Sequence, residues 1–193
     1  MAKRYGLVID LERCIGCHTC TIACKLENGI ENGSGIRVET VGGAHRDTPG
    51  GWRPRLRMHF LPVLCMHCDK PPCRDACPPG AIVKRDNGLV VILEADCNGC
   101  EACLRACPHG ALFMDGGKGV VRKCDLCAHR IEDGLAPFCV VCCETEAVSF
   151  GDLADPSSPV SRLIRERGAA VLKPELGLGP AVYYIPTRDG RIS

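Results

Sequence analysis

Cysteine constrains the fold of this chain more than any other feature of its sequence. Seventeen of the 193 residues are cysteine, and sixteen of them fall into four motifs of four. Along the chain the motifs are Cys14, Cys17, Cys20, Cys24; Cys65, Cys68, Cys73, Cys77; Cys97, Cys100, Cys103, Cys107; and Cys124, Cys127, Cys139, Cys143. Because the chain has only one tryptophan, three tyrosines and four phenylalanines, we expect groups bound by these cysteines to replace part of an ordinary hydrophobic core.

The spacing of the cysteines indicates iron–sulfur chemistry. The first and third motifs read C-x2-C-x2-C-x3-C, the run that holds [4Fe–4S] clusters in bacterial ferredoxins. In such a run the first three sulfurs converge on one cluster. The fourth cysteine, which we expect to start a helix, ligates a different cluster. Four motifs therefore predict four [4Fe–4S] clusters.

The motifs are predicted to work in pairs, each lending its last cysteine to the cluster of its partner. A β-hairpin turn at 86–88, with the sequence Asp-Asn-Gly, would return the chain from the second motif to the third. The first and fourth motifs then pair across this inner unit, although the fourth is stretched to C-x2-C-x11-C-x3-C. The predicted ligand sets are Cys14, Cys17, Cys20, Cys143 (set one); Cys24, Cys124, Cys127, Cys139 (set two); Cys65, Cys68, Cys73, Cys107 (set three); and Cys77, Cys97, Cys100, Cys103 (set four).

This pairing predicts an α+β fold of two bacterial-ferredoxin-like modules for two [4Fe–4S] clusters each, the second inserted in the first, with short β-hairpins and helices. Residues 1–62 and 115–169 would form the outer module, with a glycine-rich insertion at 26–60, and residues 63–114 the inner module. An extended tail, 170–193, is expected to contact a partner. Other predicted elements are strands at 5–11, 36–41, 56–64, 147–150 and 181–185, a second hairpin within 110–124, and a helix at 158–167 that begins near Pro159. Trp52 is predicted either as an interface anchor or as a packing residue.

Other uses of cysteine fit the pattern less well. Disulfide scaffolds are usually short and have an even number of cysteines, whereas this chain has an odd number. Zinc-binding C-x2-C pairs come as two pairs with a spacer, not as triplets closed by a fourth cysteine. Radical enzymes need C-x3-C-x2-C, which no position in the chain satisfies.

Cys142 and three histidines are the ambiguous residues near the motifs. Cys142 is either a small buried residue or the ligand in place of Cys143; the x3 step favours Cys143. The histidines, His18, His67 and His129, are predicted to tune the clusters by hydrogen bonds or contacts with sulfur, because each cluster already has four thiolates.

Composition excludes several classes of function and location. The formal charge is +1 and no basic stripe is visible, which argues against nucleic-acid binding. No apolar run is long enough for a membrane span, and the first fourteen residues lack the apolar region of a signal peptide. The sequence thus predicts a soluble, cytoplasmic chain; membrane association, or export to the periplasm with a signal-bearing partner, stays open. Seven basic residues near the ligands either offset the negative charge of the four clusters or, as is predicted for most of them, are ordinary solvated charges: Arg13, Lys25, Arg74, Arg105, Arg122, Lys123 and Arg130.

With all four motifs, the chain resembles the four-cluster iron–sulfur (beta) subunit of molybdenum or tungsten bis-pterin oxidoreductases, the DMSO reductase superfamily. Its polysulfide, thiosulfate and tetrathionate reductase branch is the most similar. The resemblance covers residues 4–186 and is carried by RYGLVIDLERCIGCHTCTIACKLEN, CMHCDKPPCRDACPPGAI, CNGCEACLRACPHGA, RKCDLCAHRIEDG and FGDLADP. One departure is Glu144, which follows the fourth motif where many relatives have proline.

The resemblance implies a heteromer in which a large molybdenum or tungsten bis-pterin subunit performs catalysis. This chain would be a non-catalytic electron-transfer subunit that connects it to an integral membrane anchor and quinone, or to another acceptor or donor. The residues agree, since no catalytic triad, carboxylate pair or nucleotide loop stands out. The rival interpretation is a free-standing polyferredoxin that shuttles electrons between soluble oxidoreductases, against which the apolar tail and the glycine-rich insertion argue. A purely structural metalloprotein is the third.

Overall fold

The computed structural model describes residues 3–45, 48–50 and 57–192, except for the side chains of residues 44 and 45. Trp52 therefore lies outside the described residues. The strands are β1 Tyr5–Asp10, β2 Ile36–Val41, β3 Gly43–His45, β4 Thr48–Pro49, β5 His59–Leu64, β6 Ile82–Lys84, β7 Val90–Ile92, β8 Leu112–Asp115, β9 Val120–Lys123, β10 Val148–Asp152 and β11 Val182–Ile185. The helices are α1 Thr19–Glu27, α2 Pro72–Asp75, α3 Ala102–Ala106, α4 Ala128–Glu132, α5 Phe138–Val141 and α6 Pro159–Arg167, with 3₁₀ turns at Glu94–Asp96 and Pro174–Leu176.

A three-stranded sheet joins the two ends of the described chain. Strand β1 lies in its centre, antiparallel to β10 and parallel to β11. Five of the six residues of β1 are buried, because helix α6 packs against the sheet and the rest of the core covers it. Sequence-distant segments therefore share one sheet, and the predicted strands at 5–11, 147–150 and 181–185 are confirmed.

Antiparallel strand pairs form the remaining sheets. Strand β2 pairs with β5, β3 with β4, β6 with β7, and β8 with β9. The hairpin of β6 and β7 turns where the Asp-Asn-Gly sequence predicts it, with Gly88 at φ 85°. The hairpin of β8 and β9 confirms the second prediction. The predicted strand at 56–64 begins at His59 in the structure, and its first residue, Leu56, lies outside the described residues.

The apolar part of the tail packs on this chain. Tyr184 in β11 is fully buried, and its hydroxyl donates a hydrogen bond to the Pro62 carbonyl at 2.8 Å. The Tyr184 N–H donates to the Ala170 carbonyl at 2.7 Å. Contact between the rest of the tail and a partner stays a prediction.

The helices near the motifs begin one residue before the third cysteine, not at the fourth. Helix α1 contains Cys20 and Cys24, whereas Cys77 and Cys107 follow the short helices that contain Cys73 and Cys103. The expectation that the fourth cysteine starts a helix was therefore wrong. The x3 step instead places the last cysteine about one helical turn after the third, so the helix carries its sulfur away from the loop of the first three.

Helix α6 confirms the prediction at 158–167. The Ser158 hydroxyl accepts a hydrogen bond from the Ser161 N–H at 3.2 Å, and Pro159 occupies the first turn. Gly168 ends the helix in the left-handed conformation at φ 60°. None of the helices in the described residues has the length and apolarity that a bilayer-spanning segment needs.

Candidate metal centre: four groups of thiols

The sixteen motif cysteines gather into four spatial groups, each with thiols from two motifs. All seventeen cysteines of the chain lie in the described residues, and all are free thiols. Their proximity is visible in the mutual electrostatics of the thiols, because a thiolate raises the pKa of a thiol close to it. Among the described residues, no group of three or more His, Cys, Asp or Glu side chains is arranged to hold a single metal ion.

Set one comes together from the first and fourth motifs. Burial first, and then the thiolates of Cys14, Cys17 and Cys143, raise the pKa of the Cys20 thiol to about 11. The pKa of Cys14 is raised by burial first, and then by Cys143 and Cys17. The N–H of Ala147, at the start of the chain segment that leads into β10, donates a hydrogen bond to Cys143 Sγ at 3.2 Å.

Set two combines the last cysteine of the first motif with three of the fourth. Burial raises the pKa of the Cys24 thiol to about 11, and Cys127 contributes in the same direction. Burial raises the pKa of Cys124 well above its usual value, followed by the thiolates of Cys24 and Cys139. The side-chain amide of Asn28 lies 3.8 Å from Cys24 Sγ and 3.9 Å from Cys127 Sγ, so a single donor spans sulfurs from two motifs.

Set three combines three cysteines of the second motif with the last of the third. Burial first, and then the thiolates of Cys65 and Cys107, raise the pKa of the Cys68 thiol to about 11. Burial, then the same two thiolates, raise the pKa of Cys73 to about 12. These groupings place the helices α2 and α3 side by side.

Set four is the reciprocal of set three. Burial raises the pKa of the Cys103 thiol, and the thiolates of Cys77, Cys97 and Cys100 act in the same direction. The N–H of Val121, on strand β9, donates a hydrogen bond to Cys97 Sγ at 3.4 Å.

The four sets lie in a row. The pKa of Cys139 in set two is raised by burial, by thiols of its own set and also by the set one thiol Cys20. On the other side, the thiolate of Cys65 in set three raises the pKa of Cys124 in set two. Sets three and four exchange cysteines through the packed helices α2 and α3. The spatial order is therefore one, two, three, four.

Burial varies along this row. All four cysteines of set two are buried, as are three of the four in set three. The end sets are more open: Cys17 in set one and Cys100 in set four are the two exposed cysteines of the chain.

The loops between the first and second cysteines share one backbone conformation in all four motifs. The residue before the second cysteine has a positive φ each time: Gly16 at 70°, His67 at 45°, Gly99 at 70° and Leu126 at 61°. In the second and fourth motifs its N–H donates to the sulfur of the first cysteine, at 3.5 Å for Cys65 and 3.4 Å for Cys124. A residue other than glycine costs about 1–2 kcal/mol in the left-handed conformation, so His67 and Leu126 hold this loop geometry at a cost in local strain.

Glycine is required in the first and third loops by close contacts as well. A Cβ on Gly16 would lie 2.4 Å from the Phe60 ring. A Cβ on Gly99 would lie 2.6 Å from the Gly119 carbonyl oxygen. Both glycines therefore let a neighbouring segment cover the thiol loop.

The three histidines singled out in the sequence lie in different environments. His67 is fully buried; its Nδ1 accepts a hydrogen bond from the Val90 N–H at 2.9 Å. Burial, followed by the charges of Lys123 and Lys84, holds the pKa of His67 well below its usual value, so the ring is neutral. His129 instead contacts Glu27 at 2.8 Å near the surface, and His18 precedes helix α1 in a left-handed conformation. Their tuning roles stay predictions.

Lys123 is one of the seven basic residues predicted either to offset cluster charge or to be solvated, and the structure excludes solvation for it. It is only 8% exposed. The signal was its position: in strand β9 it alternates with Arg122 and shares the inward face with Val121, which is 1% exposed.

Cys142 is half-buried at the end of helix α5, with its N–H donating to the Phe138 carbonyl at 3.0 Å. The thiolate of the neighbouring residue, Cys143, raises the pKa of the set one thiols Cys14 and Cys20.

Comparison with known proteins agrees with this donor chemistry. A family model described as a 4Fe-4S dicluster domain matches residues 56–153, about half of the chain, and one described as a 4Fe-4S binding domain matches residues 5–26. The chain is 44% identical to a putative dimethyl sulfoxide reductase iron-sulfur subunit of Halobacterium salinarum, over 94% of this chain and 78% of that protein. The chain belongs to the iron–sulfur electron-transfer subunits of the DMSO reductase superfamily.

Other members of this family are nearly as similar. A tetrathionate reductase subunit of Salmonella typhimurium is 38% identical over 98% of this chain and 75% of its own length. A sulfite dehydrogenase subunit of Allochromatium vinosum is 40% identical over 97% and 85%, respectively. The family predicted from the cysteine motifs is thus confirmed.

Proposed function

We propose that each of the four sets holds one [4Fe–4S] cluster, with the ligands given by sets one to four above. The observation that carries this proposal is the convergence of sixteen free thiols into four groups of four, each with cysteines from two motifs. A [4Fe–4S] cluster is held by four cysteine thiolates, and each group supplies four thiols. When bound, each cluster accepts and releases a single electron.

The protein holds, orders and insulates these groups. Burial of sets two and three excludes water, and N–H donors such as those of His67, Leu126 and Ala147 point at ligand sulfurs. Both effects set reduction potentials in iron–sulfur proteins. We assign entry and exit of electrons to the ends of the row, beside the exposed Cys17 and Cys100.

The module arrangement is part of the same proposal. Sets three and four use only cysteines of the second and third motifs, which supports an inner module near 63–114. Sets one and two use only cysteines of the first and fourth motifs, which supports an outer module of 1–62 and 115–169 with its insertion at 26–60.

We further propose a heteromer in which this chain performs no catalysis itself. A large molybdenum or tungsten bis-pterin subunit would exchange electrons with one end of the row, and an integral membrane anchor or another redox partner with the other end. The names of the relatives support this, since they are subunits of reductases and of a dehydrogenase. Exposed apolar side chains also flank Cys17: Ile15 and Ile22 on either side in sequence are 59% and 54% exposed.

Iron content and paired serine substitutions test the ligand assignment. Anaerobically purified protein should contain about sixteen irons per chain and give an EPR signal on reduction. Cys143→Ser should lose the cluster of set one, leaving about twelve irons, while the adjacent Cys142→Ser should keep all of them. Zinc in place of iron would refute the proposal, and the opposite result for the two variants would reverse the assignment.

Gel filtration of native extract tests the subunit proposal. We expect the chain to elute with a much larger protein that contains molybdenum or tungsten, detected by elemental mass spectrometry across the same fractions. Elution as a free monomer of about its own mass, 20.7 kDa, would favour the polyferredoxin instead.

A further inference from the structure

A buried lysine lies at the junction of sets two and three. Lys123 is carried by β9, directly before the set two ligand Cys124, and its ammonium donates hydrogen bonds to the carbonyls of Val90 and, at 2.9 Å, Cys124. Two carbonyls engage only part of the hydrogen-bonding capacity of an ammonium, which has three donors.

No carboxylate in the described residues lies within ion-pair distance of Lys123. Lys84, its neighbour across His67, differs in this respect: its ammonium lies 2.6 Å from Asp69, and its side chain is more exposed. An unpaired ammonium in a protein interior costs several kcal/mol unless an anion compensates it. The neutral His67 ring beside both lysines supplies no such charge.

The ammonium of Lys123 lies beside the loop between Cys65 and Cys68 of set three, because Val90, whose carbonyl accepts from it, donates its own N–H to His67 Nδ1 in that loop. It also lowers the pKa of the Cys73 thiol, against the larger effect of burial. Lys84 similarly lowers the pKa of Cys68, and its ammonium donates to the Cys68 carbonyl at 3.1 Å. Set three therefore has two cations beside its thiols, one of them buried and unpaired.

Set two faces charge of the opposite sign. The Asp125 carboxylate raises the pKa of three of its four thiols: Cys24, Cys124 and Cys127. It is held in place by hydrogen bonds from the N–H groups of Cys127, at 2.8 Å, and Ala128, at 3.4 Å. Arg122 acts on Cys24 in the opposite direction, but it is paired with Asp115 and Glu94.

We propose that Lys123 is a positioning residue for electron transfer: its buried charge makes the cluster of set three easier to reduce than the cluster of set two, which faces Asp125. This inference rests on the proposed function. A reduced cluster carries one more negative charge than an oxidised one, so a nearby cation stabilises the reduced form and a nearby carboxylate destabilises it. The first electron to reach the middle of the row would then rest on set three.

Redox titration followed by EPR, on the four-cluster protein in its native complex, tests the proposal. Lys123→Met removes the charge and keeps the length of the side chain. At a fixed ambient potential we expect about a tenfold fall in the ratio of reduced to oxidised set three cluster, which is about 59 mV for a one-electron couple. The set three signal is identified by its loss or alteration in Cys68→Ser.

Three further variants define the origin of the shift. Lys123→Arg keeps the charge and should keep the potential. Lys3→Met removes an exposed lysine whose ammonium lies 5.8 Å from the centre of the Tyr5 ring, and should leave all four potentials unchanged. Asp125→Asn should shift the set two cluster in the opposite direction, towards easier reduction.

The two proposals fail in different ways. Wild-type protein without about sixteen irons would refute the proposed function. Fully loaded Lys123→Met with an unchanged set three potential, or with an equal shift in all four clusters, would refute only the role of Lys123. If Lys123→Met does not retain its clusters, Asp125→Asn decides: an unmoved set two potential refutes the charge contrast, and a rise supports it.

Discussion

The central and terminal thiol sets differ in how the chain surrounds them. Sets two and three lie in the interior, where Cys24, Cys65 and Cys124 pack with aliphatic side chains in the largest hydrophobic cluster of the described residues. Sets one and four each expose one cysteine. An interior site can be tuned by fixed charges, which act strongly in a low dielectric, whereas an end site has to be reached by a partner. The buried central sets are thus the places where fixed charges can tune a bound cluster, and the exposed end sets are the places that a partner can reach.

Loss of a central ligand should have the largest effect. Cys124→Ser places a polar group in the core and opens the buried set two, so we expect loss of more than one cluster together with failure to accumulate stable protein. Cys100→Ser, at the exposed set four, should cost one cluster and leave about twelve irons. Iron per chain and thermal unfolding measure both variants, and equal losses in the two would contradict the contrast.

Crowding the central site without removing a ligand should have an intermediate effect. A Cβ on Gly35 would lie 2.9 Å from Cys24 Sγ and 3.2 Å from the Cys124 backbone nitrogen. Gly35→Ala should therefore destabilise the protein by about 1–3 kcal/mol and perturb the set two EPR signal.

Gly116→Ala is the matched control for this substitution, because its Cβ would have no neighbour within 4 Å. A melting temperature lowered equally in both variants would show that glycine replacement as such, and not contact with set two, is responsible.

A surface change beside a terminal set should have the smallest effect on the fold and a selective effect on assembly. Ile22→Asp adds a charge to the exposed apolar surface next to Cys17 and should leave the iron content unchanged. Because a buried charge is costly at an interface, it should weaken co-elution with the partner. Leu135→Asp, at a side chain that is 50% exposed and lies outside the tail, is the control. Normal co-elution of Ile22→Asp would place the interface elsewhere.

Much of the fold was predictable because its signals are local. The Asp-Asn-Gly turn and the Ser158-Pro159 start of α6 depend on near neighbours in the sequence, and both elements lie where they were predicted. The start of the helices was mispredicted, because the x3 step by itself does not say on which side of the helix the fourth cysteine lies.

The environment of individual side chains was less predictable. Arg122 and Lys123 are adjacent basic residues. Lys123 lies in the interior, whereas Arg122 pairs with acidic side chains. The difference depends on the packing of β9 against strand β7 and on distant residues such as His67.

The sequence by itself determined the iron–sulfur chemistry of this protein. The cysteine spacing limits how many thiolates can meet at one cluster, because a short loop restricts where their sulfurs can point. Tertiary structure alone decided the row of the four sets, the exposed cysteines at its ends and the buried charge at its centre, which has no carboxylate partner among the described residues. Those features arise where segments far apart in the chain meet, and their energies depend on burial and on opposite charges supplied by other segments.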